Sequence, residues 1–184
     1  MDSYGDIWVL TRDQKIHVLP HGHEEIQRKD FSKSISKPFA SCLISDSEGT
    51  IWIGISNHII RASGVGIHEM EDISLNASES VETYSMTDIG DSILACTSEG
   101  IFIISKDNLS VKLIANTKNY ISSAYDKTNK TIIFSGRDGV DLISKDELPE
   151  LLVKRSRKVE VTRIVINGSY ELPYAERKLM NLKL

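Results

Sequence analysis

The apolar residues of this chain fall in short runs cut by Gly, Asp, Ser and Asn. No run keeps the three- and four-residue spacing of an amphipathic helix over ten positions. Four stretches share one layout, a polar turn that feeds a β-branched apolar run. Asp46-Ser47-Glu48-Gly49-Thr50-Ile51-Trp52-Ile53-Gly54 is the clearest, and Asp2-Ser3-Tyr4-Gly5-Asp6-Ile7-Trp8-Val9 repeats it almost position for position. Weaker copies stand at Gly90-Asp91-Ser92-Ile93-Leu94-Ala95 and Asn129-Lys130-Thr131-Ile132-Ile133-Phe134. The first apolar residues after the turns, Ile7, Ile51, Ile93 and Ile132, lie 44, 42 and 39 positions apart. A period near 40 belongs to propeller blades or to helical repeats, and the absent helical spacing leaves the blade.

The second unit predicts four strands: Pro38 to Ser45, Ile51 to Ile55, Ile59 to Arg61 and Ile67 to Met70. They are separated by Asp46-Ser47-Glu48-Gly49, Ser56-Asn57-His58 and Ser63-Gly64-Val65-Gly66, all turn-forming compositions. Four short strands with punctuated turns make one meander, the unit of a propeller. The third unit predicts strands at Val81 to Met86, Ile93 to Thr97, Ile101 to Ile104 and Val111 to Ile114. The fourth predicts them at Ile121 to Tyr125, Ile132 to Ser135 and Val140 to Ile143. The second turn ends seven residues after the anchor each time, at His58, Gly100 and Gly139. Ile7-Trp8-Val9-Leu10 and Ile51-Trp52-Ile53 are apolar at every position, so both of their faces are expected to be buried between neighbouring blades. In the first unit nothing corresponds to the strand before the turn, so the chain is expected to begin inside a blade.

After Ser144 the pattern changes. Lys145 to Leu152 reads as a helical turn or linker, with Asp146 an acceptable N-cap and Pro149 limiting its length. Val159 to Ile166 alternates as a strand, Asn167-Gly168 is a type I′ hairpin signal, and Ser169 to Leu172 is the returning strand. These residues read as the first piece of a further β domain. The expected fold is therefore all-β: a partial β-propeller over 1–144, with repeats near 2–37, 38–80, 81–118 and 119–144. A linker over 145–158 and the start of an incomplete second domain over 159–184 follow.

Composition narrows function by exclusion. The chain is 40% hydrophobic and 26% charged, ordinary for a globular protein. Its net charge of -4 offers no field for a polyanion, so no nucleic-acid partner is expected. The densest basic cluster, Lys154 to Lys158, reads as a solvated linker. No stretch approaches the roughly 18 apolar residues of a membrane span. The start lacks the basic and apolar regions of an export signal. Cys42 and Cys96 lack metal or redox spacing and read as small buried hydrophobes, with a disulfide left open.

Candidate chemistry is thin. Trp8 and Trp52 have the shape to stack on a sugar, but inside all-apolar strands they read as core. His17, His21 and His23 cluster in a turn without a third metal ligand in view. Glu69, Glu71 and Asp72, and Glu147 with Glu150, read as surface acids. Four Asn-x-Ser/Thr triplets, at Asn76, Asn108, Asn129 and Asn167, are frequent by chance. No nucleophile elbow, phosphate loop or zinc-protease motif is present. No catalytic residue, cofactor or metal is expected. The residues singled out are those of the repeat: Asp2, Gly5, Trp8, Asp46, Gly49, Trp52, Gly54, Gly100 and Gly139.

The pattern Asp-x-x-Gly-x-Ile-Trp-Ile-Gly at Asp46 to Gly54, with its copy from Asp2, resembles the two-component regulator propeller repeat. Val161 to Gly168, placed after the last blade, resembles the opening of the three-Tyr β-sandwich that follows the propeller in that family. The chain departs from the repeat at Ile55 and His58-Ile59, and Leu94 and Ile133 replace the Trp. The resemblance implies a fragment of the periplasmic, saccharide-responsive sensor of a hybrid two-component histidine kinase, without that kinase's catalytic module. Its implied partner is a saccharide ligand of the parent, and either self-association through blade faces left open or poor solubility is expected. A propeller enzyme, a polysaccharide lyase or quinone-dependent dehydrogenase, is the alternative, but titratable residues do not gather at one end of the blades. A WD-type scaffold fits less well, because its Trp ends a strand before Asp instead of following the turn.

Overall fold

The computed structural model describes residues 1–29, 40–63, 69–115, 120–148, 165–166 and 170–171. It separates into two units, Met1–Leu152 and Val153–Leu184. The first is a row of antiparallel meanders. β1 (Ile7–Leu10), β2 (Ile16–Leu19) and β3 (Gln27–Lys29) form a three-stranded sheet. β4 (Ala40–Ser45), β5 (Ile51–Ile55), β6 (His58–Ser63) and β7 (Glu69–Ser74) form a four-stranded one. β8 (Thr83–Asp88), β9 (Ser92–Thr97), β10 (Gly100–Ser105) and β11 (Val111–Ala115) form a second four-stranded sheet. β12 (Tyr120–Asp126), β13 (Thr131–Gly136) and β14 (Gly139–Ser144) close the row with three strands. In each sheet the strands pair in sequence order, which is the propeller blade. The leading strands β4, β8 and β12 lie against one another. Each carries a register shift at the same place, at Ala40/Cys42, Thr83/Ser85 and Tyr120/Ser122. A bulge there increases the local twist of the strand.

The uninterrupted apolar run of β5 follows from its position. Ile51, Ile53 and Ile55 pack with Trp8, Ile16 and Val18 of the first blade. Trp52 points the other way, into Val81, Met86, Ile93 and Ala95 of the third. β9 divides likewise, with Ile93 and Ala95 facing the second blade while Leu94 and Cys96 join Ile132 and Phe134 of the fourth. One strand thus serves two cores. Each fully buried Ile stabilises by about 1.5–3 kcal/mol, and β5 contributes three of them.

The structure corrects four details. In β1 only Trp8 is buried; Ile7 and Val9 are 47% and 45% exposed, because among the described residues no blade packs on that face. The fourth strand of the second unit, expected at Ile67 to Met70, is described at Glu69–Ser74 and so runs on past Met70; Ile67 and His68 lie outside the described residues. As an outer strand it buries only Ile73 well, so its polar residues hid it from a reading based on apolar runs. The segment after β14 begins with a 3-10 turn at Lys145–Glu147 whose N-cap is Ser144, not Asp146. Leu148 then buries itself among Ile89, Leu94 and Ile132, so these residues pack on the blades rather than linking away from them. Pro149 and Glu150 lie outside the described residues.

In the second unit β15 (Val165–Ile166) pairs antiparallel with β16 (Tyr170–Glu171). Ile166 stands opposite Tyr170, one residue further than a two-residue turn allows. The basic cluster Lys154 to Lys158 lies outside the described residues.

Candidate functional site

The repeat motif assembles around its aspartate. Asp2 Oδ1 accepts the backbone N–H groups of Tyr4 (3.0 Å) and Asp6 (2.9 Å), and its Oδ2 accepts Trp8 Nε1 at 2.8 Å. Asp46 does the same with Glu48 (2.9 Å), Thr50 (2.9 Å) and Trp52 Nε1 (3.0 Å). The six-residue interval from Asp to Trp has a physical meaning. The carboxylate holds its own turn with one oxygen, and with the other it satisfies the indole N–H of a buried Trp on the strand that leaves the turn. An indole N–H buried without a partner costs about 1–3 kcal/mol. Trp52 is completely buried, with the Arg61 guanidinium 5.7 Å above its ring.

The glycines of the motif make room. Gly5 and Gly49 hold positive φ (+87° and +79°) in the turns. A Cβ on Gly49 would stand 2.4 Å from Ser3 N, the group that donates to Gly49 O across the first two blades at 3.1 Å. Gly54 sits where a Cβ would meet Cys42 Sγ at 2.8 Å and Thr83 Cβ of the next blade at 2.9 Å. At Gly100 (φ +144°) a Cβ would collide with Ala115 O at 2.2 Å. Gly139 (φ +130°) opens β14 opposite Gly136, with open space where its Cβ would be.

Two further aspartates and two lysines complete the arrangement, and the sequence reading missed all four. Asp88 stands five residues before Ile93, as Asp46 stands before Ile51. Its Oδ1 accepts Gly90 N (2.8 Å), and its Oδ2 accepts Ser47 N of the preceding blade (2.8 Å). Asp126 Oδ1 accepts Thr128 N (2.9 Å), and Asn129 Nδ2 donates to its Oδ2 (2.7 Å). Lys106, just after β10, bridges Asp88 of its own blade (2.8 Å) and Asp46 of the blade before (3.1 Å). Lys145 holds the corresponding place after β14. Its Nζ reaches back to Ile89 O (2.8 Å) and Asp91 (2.9 Å) of the third blade. The shared five-residue spacing was visible in the sequence. The lysine partners were not, because they come from another blade.

Electrostatics follow the geometry. Burial would raise the Asp46 and Asp88 carboxyls, but their donors outweigh it. The Trp52 indole, the Thr50 N–H and Lys106 bring Asp46 below the usual range, while Lys106 and the Gly90 and Ser47 N–H groups bring Asp88 to about 2. Burial would lower the Lys106 ammonium, but the Asp88 and Asp46 carboxylates hold it above its ordinary value. Every Asp46 oxygen is engaged, so this carboxylate is neither a free base nor a free ligand. The arrangement joins turn to strand and blade to blade.

Trp8 and Trp52 are core residues of this arrangement. The other candidates do not join it. His17 is on β2 opposite Val9, and His21 N donates to Asp6 Oδ1 at 2.7 Å. His23 N donates to Pro20 O in the turn at 3.0 Å. Among the described residues, no three His, Cys, Asp or Glu gather as a metal site. Glu71 pairs with Arg61 (3.2 Å) and Asp72 with His58 (2.6 Å) across β6 and β7. Cys42 and Cys96 are free thiols, and burial pushes Cys42 up to about 12.

These meanders define an arc of a β-propeller, and solved structures share that fold. The chain is similar to the extracellular domain of BT4673 from B. thetaiotaomicron, described in one structure as a one-component and in another as a hybrid two-component system. The TM-score is 0.70 in both, at 22% and 23% identity, over 79% and 78% of this chain and 20% and 19% of that one. The extracellular domain of the hybrid two-component system BT3049 from the same organism follows at TM-score 0.56 and 16% identity, covering 76% of this chain and 19% of that chain. A streptogramin B lyase structure shares the fold at TM-score 0.54 and 17% identity, over 78% of this chain and 52% of that one. At these identities the likeness establishes the fold, and the chain spans about a fifth of the first of these neighbours. No protein-family model matches the chain, and no curated protein does. Among the described residues no helix is long and apolar enough to cross a membrane.

Proposed function

We propose that the chain is part of the extracytoplasmic sensing region of a hybrid two-component system, periplasmic in its parent and responsive to a saccharide. The observation that carries this reading is that the same arc occurs in the extracellular domains of BT4673 and BT3049. The repeated Asp-to-Trp turn, which resembles the regulator propeller repeat, supports it independently. In this reading the β15–β16 hairpin opens a three-Tyr-like sandwich, and the propeller acts without catalysis, passing ligand occupancy on to a kinase elsewhere in the parent. The lyase neighbour keeps an enzymatic propeller as the second reading. The test is the coding sequence on either side of this one. Further Asp-x-x-Gly-x-Ile-Trp repeats upstream and a histidine kinase module downstream are the expected result. A ring completed by blades that carry clustered catalytic side chains, with no kinase following, would overturn the proposal.

A further inference from the structure

The register shift that recurs in the three leading strands leaves one residue of each outside the pairing: Ser41 in β4, Tyr84 in β8 and Ile121 in β12. None of the three joins a blade-to-blade core. The second blade fills the position with a serine, so the fold does not require an aromatic there. Tyr84 is 39% exposed beside Thr83 at 0%. Its blade packs on both the second and the fourth, so this exposure does not come from an uncovered blade face. A bulge re-aims the side chain it carries, which is why bulges recur beside binding sites.

Tyr84 lies toward the end of the blades opposite the aspartate clasps. Asp88 stands four residues further along the same strand, about 13 Å away. At the Tyr84 end, polar contacts tie the loops of the third blade together. Glu82 N donates to Ser98 Oγ (3.0 Å), Ser98 N donates to Glu82 O (2.8 Å), and the Ser78 hydroxyl donates to Glu99. The Glu82 backbone is thereby fixed while the residue stays exposed, two positions before Tyr84 with buried Thr83 between them. Residues 75–82 and 97–100, which form these loops, contain no Lys or Arg. An exposed aromatic face beside a carboxylate acceptor, without a cation, suits a ring with apolar C–H faces and hydroxyl donors. The same charge repels an anion.

We infer that Tyr84 and Glu82 form the contact for a neutral saccharide. The sugar ring lies on the Tyr84 ring, and its hydroxyls donate to the Glu82 carboxylate. Ser41 and Ile121 hold the equivalent positions on the adjoining blades. This inference rests on the sensing role proposed above and narrows its ligand to the uncharged class.

The test is isothermal titration calorimetry on the full chain with cellohexaose, mannohexaose and maltohexaose, and with hexagalacturonate as the anionic counterpart. The variants are Tyr84→Ser, which installs the residue the second blade already carries, Tyr84→Phe, which keeps the ring, and Tyr4→Ala, which removes an exposed aromatic from the first turn. One of the neutral probes is expected to bind the wild type, and hexagalacturonate is not. Tyr84→Ser is expected to weaken that binding by about tenfold or more, while Tyr84→Phe and Tyr4→Ala bind like the wild type. The urea midpoint of Tyr84→Ser is expected to match the wild type, which separates a lost contact from a lost fold. Undiminished binding by Tyr84→Ser, or a preference for hexagalacturonate, would overturn the inference and leave the sensing role standing. A wild type that binds none of the four probes would overturn the inference and count against the sensing role itself.

Discussion

Replacing Asp46 by alanine should remove more stability than any other single truncation in the turns. The side chain is 1% exposed, accepts from three donors (the backbone of Glu48 and Thr50 and the Trp52 indole) and pairs with the Lys106 ammonium. Glu48 N is only partly buried, and water can replace its partner. Thr50 N and Trp52 Nε1 are buried, and each orphaned donor costs about 1–3 kcal/mol. Lys106 keeps Asp88 at 2.8 Å, so its loss falls short of the roughly 3–5 kcal/mol of a buried pair broken outright. The expected total is about 3–5 kcal/mol. With a urea slope of about 2 kcal/mol/M, the unfolding midpoint should drop by about 2 M. Trp52→Phe, which removes one donor while keeping most of the ring, should cost about 1–2 kcal/mol. The measurement is urea unfolding followed by circular dichroism at one fixed low protein concentration. A loss below about 1 kcal/mol for Asp46→Ala would refute the reasoning. A Trp52→Phe variant as damaged as Asp46→Ala would place the energy in ring packing instead.

Gly54→Ala should destabilise by about 1–3 kcal/mol through overpacking, because its Cβ would press on Cys42 Sγ and on Thr83 of the neighbouring blade; a neutral urea midpoint would refute that. Acid should loosen the clasps. The Asp46 and Asp88 carboxyls are held below their ordinary value of 3.8, Asp88 at about 2. Their contribution is complete above the ordinary value and is lost as pH falls through the folded one. Urea midpoints from about pH 5 down to pH 2 should therefore fall, and more shallowly in Lys106→Met; parallel curves would show that these carboxylates do not drive the loss.

Much of the fold was legible because the second and third blades bury both of their faces. Ile51 to Ile55 and Ile93 to Cys96 had to be apolar throughout, and short β-branched runs at a steady period are hard to read otherwise. The outer strand Glu69–Ser74 escaped because a strand covered on one side needs few apolar residues. Ile7 and Val9 were expected inside because their copies Ile51, Ile53, Ile93 and Ala95 are buried between blades, whereas among the described residues no blade packs on that face of β1. The turns were recognised by Trp and Gly, and that choice of landmark concealed Asp88 and Asp126. In those copies the Gly moves to Gly90 or gives way to Lys130, whose φ of 51° takes the left-handed place without a glycine. The lysines escaped for a different reason: Lys106 and Lys145 look like ordinary surface charges until the preceding blade is set beside them.

The two oxygens of the motif aspartate have separate duties, and this bears on how such a unit can be duplicated and then drift. Oδ1 always holds the local turn. Oδ2 takes whichever donor is at hand: an indole in the first two copies, the Ser47 amide of a neighbour in the third, and the Asn129 side chain in the fourth. Trp can then be lost by substitution to Leu94 or Ile133 without stranding a carboxylate, so the aromatic is the dispensable half of the signature. Degenerate blades in other chains should be more detectable by an Asp five or six residues ahead of a β-branched run than by the Trp that first draws the eye.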